Sequence, residues 1–274
     1  MNSAADALRA AAQRLAAVSD TARLDAELLM AHAAGIAREE LILRLRDLAE
    51  PKGFASLVER RRAREPVSHI VGTRDFWTLT LAVTPDVLTP RPDSETLIEA
   101  AVAHFAGTSG PRHILDLGTG SGALLLAALD EWRDASGLGV DISEAALVVA
   151  QGNARRCGMA DRAQFRRGNW LDGVEGCFDL ILANPPYIST NAMLPRDVAH
   201  YEPHLALFAG ADGLDAYRAL APALADHLAP EGVAVIEIGF DQEESAAGLL
   251  REQGLKVTVK QDLAGRARCL MTGR

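Results

Sequence analysis

The sequence has 274 residues, of which 49% are apolar and 24% charged, so it predicts one or two globular domains and excludes a disordered chain. The formal net charge is −9, and residues 1–88 hold equal numbers of basic and acidic side chains, so the acidic excess lies in the rest of the chain. Since phosphate neutralisation supplies most non-specific affinity for polynucleotides, we expect no direct nucleic-acid partner.

Segments typical of membrane proteins, secreted proteins and metal sites are missing from the sequence. Its apolar runs are shorter than the roughly 18 residues of a membrane span, and the N-terminal segment lacks the apolar core of a signal peptide. We therefore expect a cytoplasmic protein without a membrane partner. Cys157, Cys177 and Cys269 lie far apart, which predicts reduced thiols and no bound metal.

The first part of the chain has a helical pattern, in which apolar residues recur three and four positions apart. It predicts an N-terminal helical domain over residues 1–72. Ser3 and Asp20 are expected to cap helix starts and Gly35 a helix end. The charged run 59–64 is interpreted as a solvated helix face, with a partner contact as the alternative.

The period then changes from helical to extended. Large apolar side chains fall on every second residue from Trp77 to Val83, which predicts a β-hairpin linker over residues 73–88. Two prolines in the segment 89–95 favour an extended backbone, and Asp93 or Ser94 is expected to cap the helix that follows.

Strands and helices alternate from His113 onward. This alternation predicts an α/β fold over residues 89–274, with a doubly wound, mostly parallel sheet covered by helices on both faces. Ligands of such sheets bind at the carboxyl ends of the strands, where the strand order reverses. The motifs that bind ligands should therefore come directly after strands.

A glycine-rich loop follows the first of these strands, in the segment DLGTGSG (116–122). Its glycines allow a tight turn and a close approach of a ligand to the backbone. Asp141 ends the next strand, where an acid can accept hydrogen bonds from both ribose hydroxyls of a cofactor. Such an acid suits NAD and S-adenosylmethionine equally well, whereas Asp116 inside the loop motif favours the latter. The loop residues predicted to contact the cofactor are Gly118, Thr119, Gly120, Ser121 and Gly122.

The segment FDLILANPPY (178–187) is a buried strand that ends in Asn184-Pro185-Pro186-Tyr187. The prolines cannot continue the sheet, so the carbonyl groups here are held in fixed directions. The Asn184 side-chain oxygen and the Pro185 carbonyl can each accept one N–H of a planar NH₂ group, while the Tyr187 ring covers its flat face. The tetrapeptide therefore predicts a binding site for an amino or amide acceptor.

Together, the loop and the tetrapeptide resemble the amino and amide methyltransferases that use S-adenosylmethionine, a class that includes DNA adenine methyltransferases. Three further segments, PVSHIVGTRDFW (66–77), TPRPDSE (89–95) and YEP (201–203), are similar to segments of the peptide chain release factor glutamine methyltransferases. The resemblance extends from about residue 20 to the C-terminus. It implies a Rossmann-like methyltransferase fold and S-adenosylmethionine as the cofactor.

The resemblance also implies roles for individual residues. The glycine loop would hold the methionine part of the cofactor, Asp141 its ribose and Trp170 its adenine ring. Residues 184–187 would bind the acceptor glutamine of the Gly-Gly-Gln loop of a release factor, and Asn184 would also contact the cofactor. The helical domain would recognise the release factor. The family that this sequence resembles usually has an acid directly before this tryptophan, whereas this sequence has Asn169. The segment containing Arg91, Ser94 and Glu95 receives no assigned role.

Three alternative functions stay open at this stage. An adenine methyltransferase would use the same tetrapeptide on a flipped base, but the acidic domain argues against it. A dehydrogenase that uses NAD fits the glycine loop and Asp141, yet leaves the tetrapeptide unexplained. A binding module that has lost catalysis is disfavoured by the intact segment 184–187.

Overall fold

The computed structural model describes residues 3–262 and 265–274. Contacts between Cα atoms divide the chain into two compact units. We call Met1–Thr73 with Leu194–Tyr201 the helical unit, and Arg74–Met193 with Glu202–Arg274 the sheet unit. Within the described ranges, no helix combines the length and the apolar character needed to cross a lipid bilayer.

Amphipathic helices form the helical unit around a core of its own. They are α1 (Ala4–Leu15), α2 (Ala22–Ala34), α3 (Arg38–Arg44), α4 (Phe54–Arg62), α5 (Val67–Val71) and, later in the chain, α9 (Arg196–Tyr201). The side chains of Leu8, Leu29 and Phe54 are among those buried between helices α1 to α5, whereas α9 has no buried side chain. Apolar residues three and four apart therefore face one core, as the sequence pattern predicts.

The predicted helix ends are confirmed at two positions and wrong at a third. The Ser3 hydroxyl accepts the Asp6 N–H at 3.1 Å, and Gly35 ends α2 in the left-handed region. Asp20 caps nothing, because α2 has Thr21 at its N-cap position and no side-chain capping bond there.

The charged run 59–64 is not the uniformly solvated face that the sequence predicts. Arg61 is buried, and its Nε donates to Asp25 Oδ2 at 2.7 Å. Arg60 pairs with Glu65, and Arg62 with Glu59. A buried charge requires a partner, so Arg61 ties α4 to α2.

The sheet unit contains a hairpin and a seven-stranded sheet. The hairpin pairs β1 (Thr73–Phe76) with β2 (Leu79–Ala82), as the alternation of apolar residues predicts. The strands of the large sheet are β3 (His113–Leu117), β4 (Ser136–Asp141), β5 (Ala163–Arg167), β6 (Phe178–Ala183), β7 (Leu228–Glu237), β8 (Lys256–Gln261) and β9 (Ala267–Gly273).

The strand order is β5-β4-β3-β6-β7-β9-β8. The pairs from β5 to β7 are parallel, whereas β9 runs antiparallel to both β7 and β8. The predicted mostly parallel sheet is therefore confirmed. The chain turns to one side of β3 for β4 and to the other side for β6, so the strand order reverses at β3.

Helices cover both faces of this sheet. They are α6 (Glu95–His104), α7 (Ala123–Glu131), α8 (Glu144–Arg156), α10 (Asp215–His227) and α11 (Glu243–Arg251). Along β6, Leu180 and Leu182 belong to the core on one face, while Ile181 and Ala183 belong to the core on the other. A strand buried on both faces is apolar at every position, which explains the continuous apolar run before Asn184.

Candidate active site

A cavity of about 350 Å³ opens at the carboxyl ends of β3, β4 and β6. Its walls include the glycine loop, Asp141, Trp170, Asn184 and Ser94. The volume is that of a small-molecule site. It lies where the strand order reverses, so the topology and the cavity indicate the same place for a ligand.

The glycine loop depends on left-handed backbone conformations. Gly118, Gly120 and Gly122 have φ values of 70°, 55° and 82°, a region that residues with a Cβ atom seldom adopt. A Cβ atom at Gly118 would also lie 3.3 Å from Cζ3 of Trp170. The N–H groups of Gly118 and Thr119 both donate to Val140 O, which fixes the loop against β4.

Asp116, the first residue of this motif, is buried with an incompletely bonded carboxylate. Its Oδ2 accepts the Thr119 hydroxyl at 2.6 Å and the Leu125 N–H at 3.3 Å, whereas its Oδ1 has no hydrogen-bond partner in the structure. Burial raises the pKa of Asp116 to about 7. A buried oxygen without a partner is costly in isolation. Asp116 is 1% exposed and precedes the loop residues that line the cavity, without lining it itself.

Asp141 braces the same loop from the end of β4. Its Oδ2 accepts the Gly120 N–H at 2.8 Å, and its Oδ1 accepts the Ser143 N–H at 2.9 Å. Each carboxylate oxygen can accept two hydrogen bonds, so one position on each oxygen stays available for a ligand hydroxyl. The backbone contacts orient the carboxylate before any ligand binds.

Trp170 and Asn169 form another part of the cavity wall. Trp170 has a positive φ of 53° and is half-buried, with its ring against Gly118. The exposed Asn169 reaches Asp172 Oδ2 through its Nδ2 at 3.4 Å. Asp172 is therefore an acid close to Asn169 at this part of the cavity.

The residues 184–187 are not all on the cavity surface. Asn184 and Pro186 line the cavity, whereas Pro185 and Tyr187 are not among its lining residues. Pro185 is buried, and the Tyr187 hydroxyl donates to Glu237 Oε1 at 3.3 Å. The Tyr187 carbonyl accepts the Gln242 Nε2 at 2.9 Å, which fixes the backbone after the two prolines.

Ser94 and Glu237 extend this network beneath the cavity wall. The Asn184 Nδ2 donates to Ser94 Oγ at 3.0 Å, and Ser94 Oγ donates to Glu237 Oε2 at 2.5 Å. Ser94 occupies the N-cap position of α6, as one of the two predicted caps, but it makes no side-chain capping bond, because its hydroxyl faces Glu237 instead.

The remaining polar residues of the segment 89–95 make structural contacts within the sheet unit. Arg91 Nη2 donates to Glu202 Oε1 at 2.7 Å, which joins this segment to YEP (201–203) at its glutamate. Glu95 Oε1 accepts the Trp77 N–H at 2.8 Å and so holds the hairpin turn. The resemblance to known sequences marked these residues, but their pattern alone indicated no role.

Glu237 and Gln242 are the residues that sequence reasoning missed. The only signal for Glu237 was a single acid at the end of the apolar run GVAVIEIG (232–239), and nothing in the sequence marked Gln242. Among residues 3–262 and 265–274, no group of three or more His, Cys, Asp or Glu side chains is arranged to hold a metal ion.

Comparison with known sequences identifies the two parts of the chain. Residues 6–72 match the family model of the PrmC N-terminal domain, and residues 94–200 match that of the methyltransferase small domain. A release factor glutamine methyltransferase of Cereibacter sphaeroides is 47% identical over 97% of this chain and 96% of its own length. A release factor glutamine methyltransferase of Rhodospirillum rubrum is 46% identical over 92% of this chain and 79% of its own length.

Solved structures share the fold at low sequence identity. The N-terminal domain of human METTL16, in complex with SAH, has a TM-score of 0.53 and 17% identity, over 72% of this chain and 76% of that one. A ribosomal protein L11 methylase from Lactobacillus delbrueckii has a TM-score of 0.50 and 22% identity, over 66% and 79%.

The sheet, the cavity at its carboxyl edge and the matched methyltransferase domain define the class: the protein is a methyltransferase. Within that class, the similarity extends over both units. The chain belongs to the release factor glutamine methyltransferase family.

Proposed function

We propose that the protein transfers a methyl group from S-adenosylmethionine to the side-chain amide nitrogen of a glutamine in peptide chain release factors, at their Gly-Gly-Gln loop. The observation that carries this proposal is the position of Asn184 in the same cavity as the glycine loop. Its Nδ2 is bonded to Ser94, so its Oδ1 is available for an N–H of the acceptor. The relatives named for this reaction support the choice of acceptor.

The residues present fit S-adenosylmethionine. We assign the methionine part to the loop 118–122 and the Asp116 Oδ1, the ribose to Asp141 and the adenine ring to Trp170. The unpartnered oxygen of Asp116 and the available positions on Asp141 suit the amino and hydroxyl donors of this molecule. When bound, it supplies a methyl group on a positively charged sulfur, which is an effective leaving group.

The residues 184–187 would orient the acceptor amide. Asn184 Oδ1 would accept one of its N–H groups, and Pro186 would shape the wall. The Pro185 carbonyl would accept the other N–H and the Tyr187 ring would cover the flat face once the acceptor reaches beyond the present cavity lining, which includes neither residue. An amide nitrogen is a poor nucleophile because its lone pair is delocalised. Two acceptors in fixed directions align the nitrogen and stabilise the positive charge that develops on it. The released proton passes to solvent.

We expect Asp141→Ala to weaken the affinity for S-adenosylmethionine by about 1.5 to 3 kcal/mol, the scale of hydrogen bonds to a charged group. The variant also loses the acceptor for the Gly120 N–H, so the loop loses its brace. Calorimetry with S-adenosylhomocysteine measures the change, and Asp161→Ala, at an exposed acid, is the control. An unchanged dissociation constant would show that the ribose is held elsewhere.

Incubation with labelled S-adenosylmethionine tests the proposed acceptor. We expect label in intact release factors and none in DNA or RNA, because the acidic excess of the chain lies beyond residue 88. Label in adenine bases and none in protein would assign the tetrapeptide to nucleic acid instead. Since release factors act on ribosomes, we place the reaction in the cytoplasm.

A further inference from the structure

A buried chain of hydrogen bonds leads from the cavity wall to one carboxylate. Asn184 Nδ2 donates to Ser94 Oγ at 3.0 Å, and Ser94 Oγ donates to Glu237 Oε2 at 2.5 Å. Ser94 and Glu237 are 3% and 1% exposed, respectively. Asn184 and Ser94 line the cavity, whereas Glu237 lies outside its lining.

While Glu237 is ionised, the chemistry of these groups permits only one direction of hydrogen bonding. An ionised carboxylate only accepts, so the single hydroxyl proton of Ser94 points to Glu237. Ser94 can then only accept from Asn184, which requires the NH₂ of that amide to face Ser94. The Asn184 Oδ1 must consequently point the other way. A carboxylate that touches no ligand thus determines which end of the asparagine amide meets the acceptor.

We propose that Glu237 is a positioning residue that acts through Ser94 to hold the Asn184 amide with its oxygen toward the acceptor glutamine. The inference rests on the proposed function, since it concerns the same acceptor site. Without the constraint, Ser94 could donate to Asn184 Oδ1 instead, and the amide could rotate by half a turn. Its NH₂ would then meet the NH₂ of the acceptor, and two donors cannot bond to each other.

Leucine at position 237 removes the oxygen that accepts the Ser94 hydroxyl, whereas glutamine keeps one oxygen that can accept it. Glutamine can present its NH₂ to the Tyr187 oxygen, which also accepts. We therefore expect Glu237→Leu and Ser94→Ala each to lower kcat by about 10- to 100-fold, less than the loss of the preorganised group itself, because Asn184 stays in place. Glu237→Gln should stay within about threefold of wild type. Both changes at position 237 remove the charge, so their difference isolates the hydrogen bond.

Two further comparisons separate positioning from general loss of structure. If Glu237 acts through Ser94, the double variant should be no slower than the slower single variant, because both changes break the same chain. Tyr217→Phe is the matched control: its buried hydroxyl donates at 2.9 Å to the backbone oxygen of Glu237, not to the carboxylate. It should lower the melting temperature and leave kcat unchanged.

The pH dependence provides a second readout. Burial raises the pKa of Glu237 to about 7, against the opposing effects of the Ser94 bond and the Arg268 charge. A protonated Glu237 can donate to Ser94 and so release the amide. The other titratable or hydroxyl groups that face Glu237 or its neighbours are Asp93, Tyr187, Tyr217, Asp262 and Cys269. At saturating cofactor, wild-type kcat should fall as the pH drops through about 7, and Glu237→Gln should lack this fall.

The experiment measures kcat, KM, cofactor affinity and melting temperature for the full-length variants with an intact release factor. We expect all variants to be folded and to bind the cofactor with wild-type affinity. Glu237→Leu and Ser94→Ala should have a kcat well below that of wild type, and Glu237→Gln a kcat close to it. Equal losses in the glutamine and leucine variants, additive losses in the double variant, or wild-type rates throughout would overturn the inference. If the wild-type protein itself left release factors unmethylated, the proposed function would fail instead.

Discussion

Replacing Asn184 with alanine should reduce turnover on a release factor by about a hundredfold or more, the effect of removing one preorganised polar group from a reacting centre. The alanine keeps the backbone between β6 and Pro185 but removes the oxygen that we assign to the acceptor amide. It also leaves Ser94 without its donor. We expect the loss in kcat, because the hydrogen bond between Asn184 and the acceptor amide strengthens as positive charge develops on the nitrogen.

The cofactor should still bind to this variant, since most of the proposed cofactor contacts lie at Asp116, in the loop 118–122, at Asp141 and at Trp170. Calorimetry with S-adenosylhomocysteine therefore accompanies the rate measurement. Asn191→Ala, at an exposed asparagine later in the same connection, is the matched control and should react at the wild-type rate. Turnover of the Asn184 variant at that same rate would mean that the acceptor site lies elsewhere.

An intact release factor should be methylated with a kcat/KM at least about a hundredfold above that of an isolated peptide of its glutamine loop. Residues 184–187 recognise one amide, and every surface glutamine offers the same group. Selectivity must therefore come from contacts remote from the reacting atoms. We propose the helical unit as the second recognition surface, because the sheet unit contains the site assigned to chemistry. Equal efficiency on both substrates would contradict a second surface.

A point substitution tests whether the helical unit recognises the release factor better than a deletion of residues 1–70 does. The Tyr201 hydroxyl in α9 donates to Ala63 O at 3.4 Å, so the deletion would remove partners from a helix that stays in the chain. Leu43, in α3, is 85% exposed, so its side chain is accessible to a partner. Leu43→Asp should slow methylation of the intact release factor and leave methylation of the isolated peptide unchanged.

The matched control for Leu43→Asp is Val148→Asp in α8 of the sheet unit, at an apolar residue that is 65% exposed. It should leave both substrates unaffected. If Leu43→Asp methylates the intact factor as fast as wild type does, α3 is not part of the recognition surface.

The sequence predicted the parallel sheet well, because strands buried on both faces carry continuous apolar runs that end in turn residues. The glycine loop was predictable for a related reason: closely spaced glycines between a strand and a helix indicate a tight turn, which is a local feature. Their positive φ values at Gly118, Gly120 and Gly122 agree with this reasoning. Local patterns therefore sufficed wherever the physical cause was local.

The network beneath the cavity was not predictable, because its members are distant in the chain. Ser94 precedes a helix, where a serine usually caps the helix start. It lies 143 positions before Glu237 in the sequence, so only the fold brings the two side chains together. Arg61 shows the same limit, since its partner Asp25 is on another helix. An arginine in a charged run looks exposed until its tertiary partner is known.

The proposed function is tested most directly by mass mapping of an intact release factor after incubation with this protein and S-adenosylmethionine. The measurement locates any added methyl group by fragmenting the product peptide. We expect the mass of one methyl group on the side chain of the glutamine in the Gly-Gly-Gln loop, absent when the Asn184→Ala variant replaces the wild type. A methyl group at another residue, or an unmodified release factor with a protein that binds the cofactor, would contradict the proposed function.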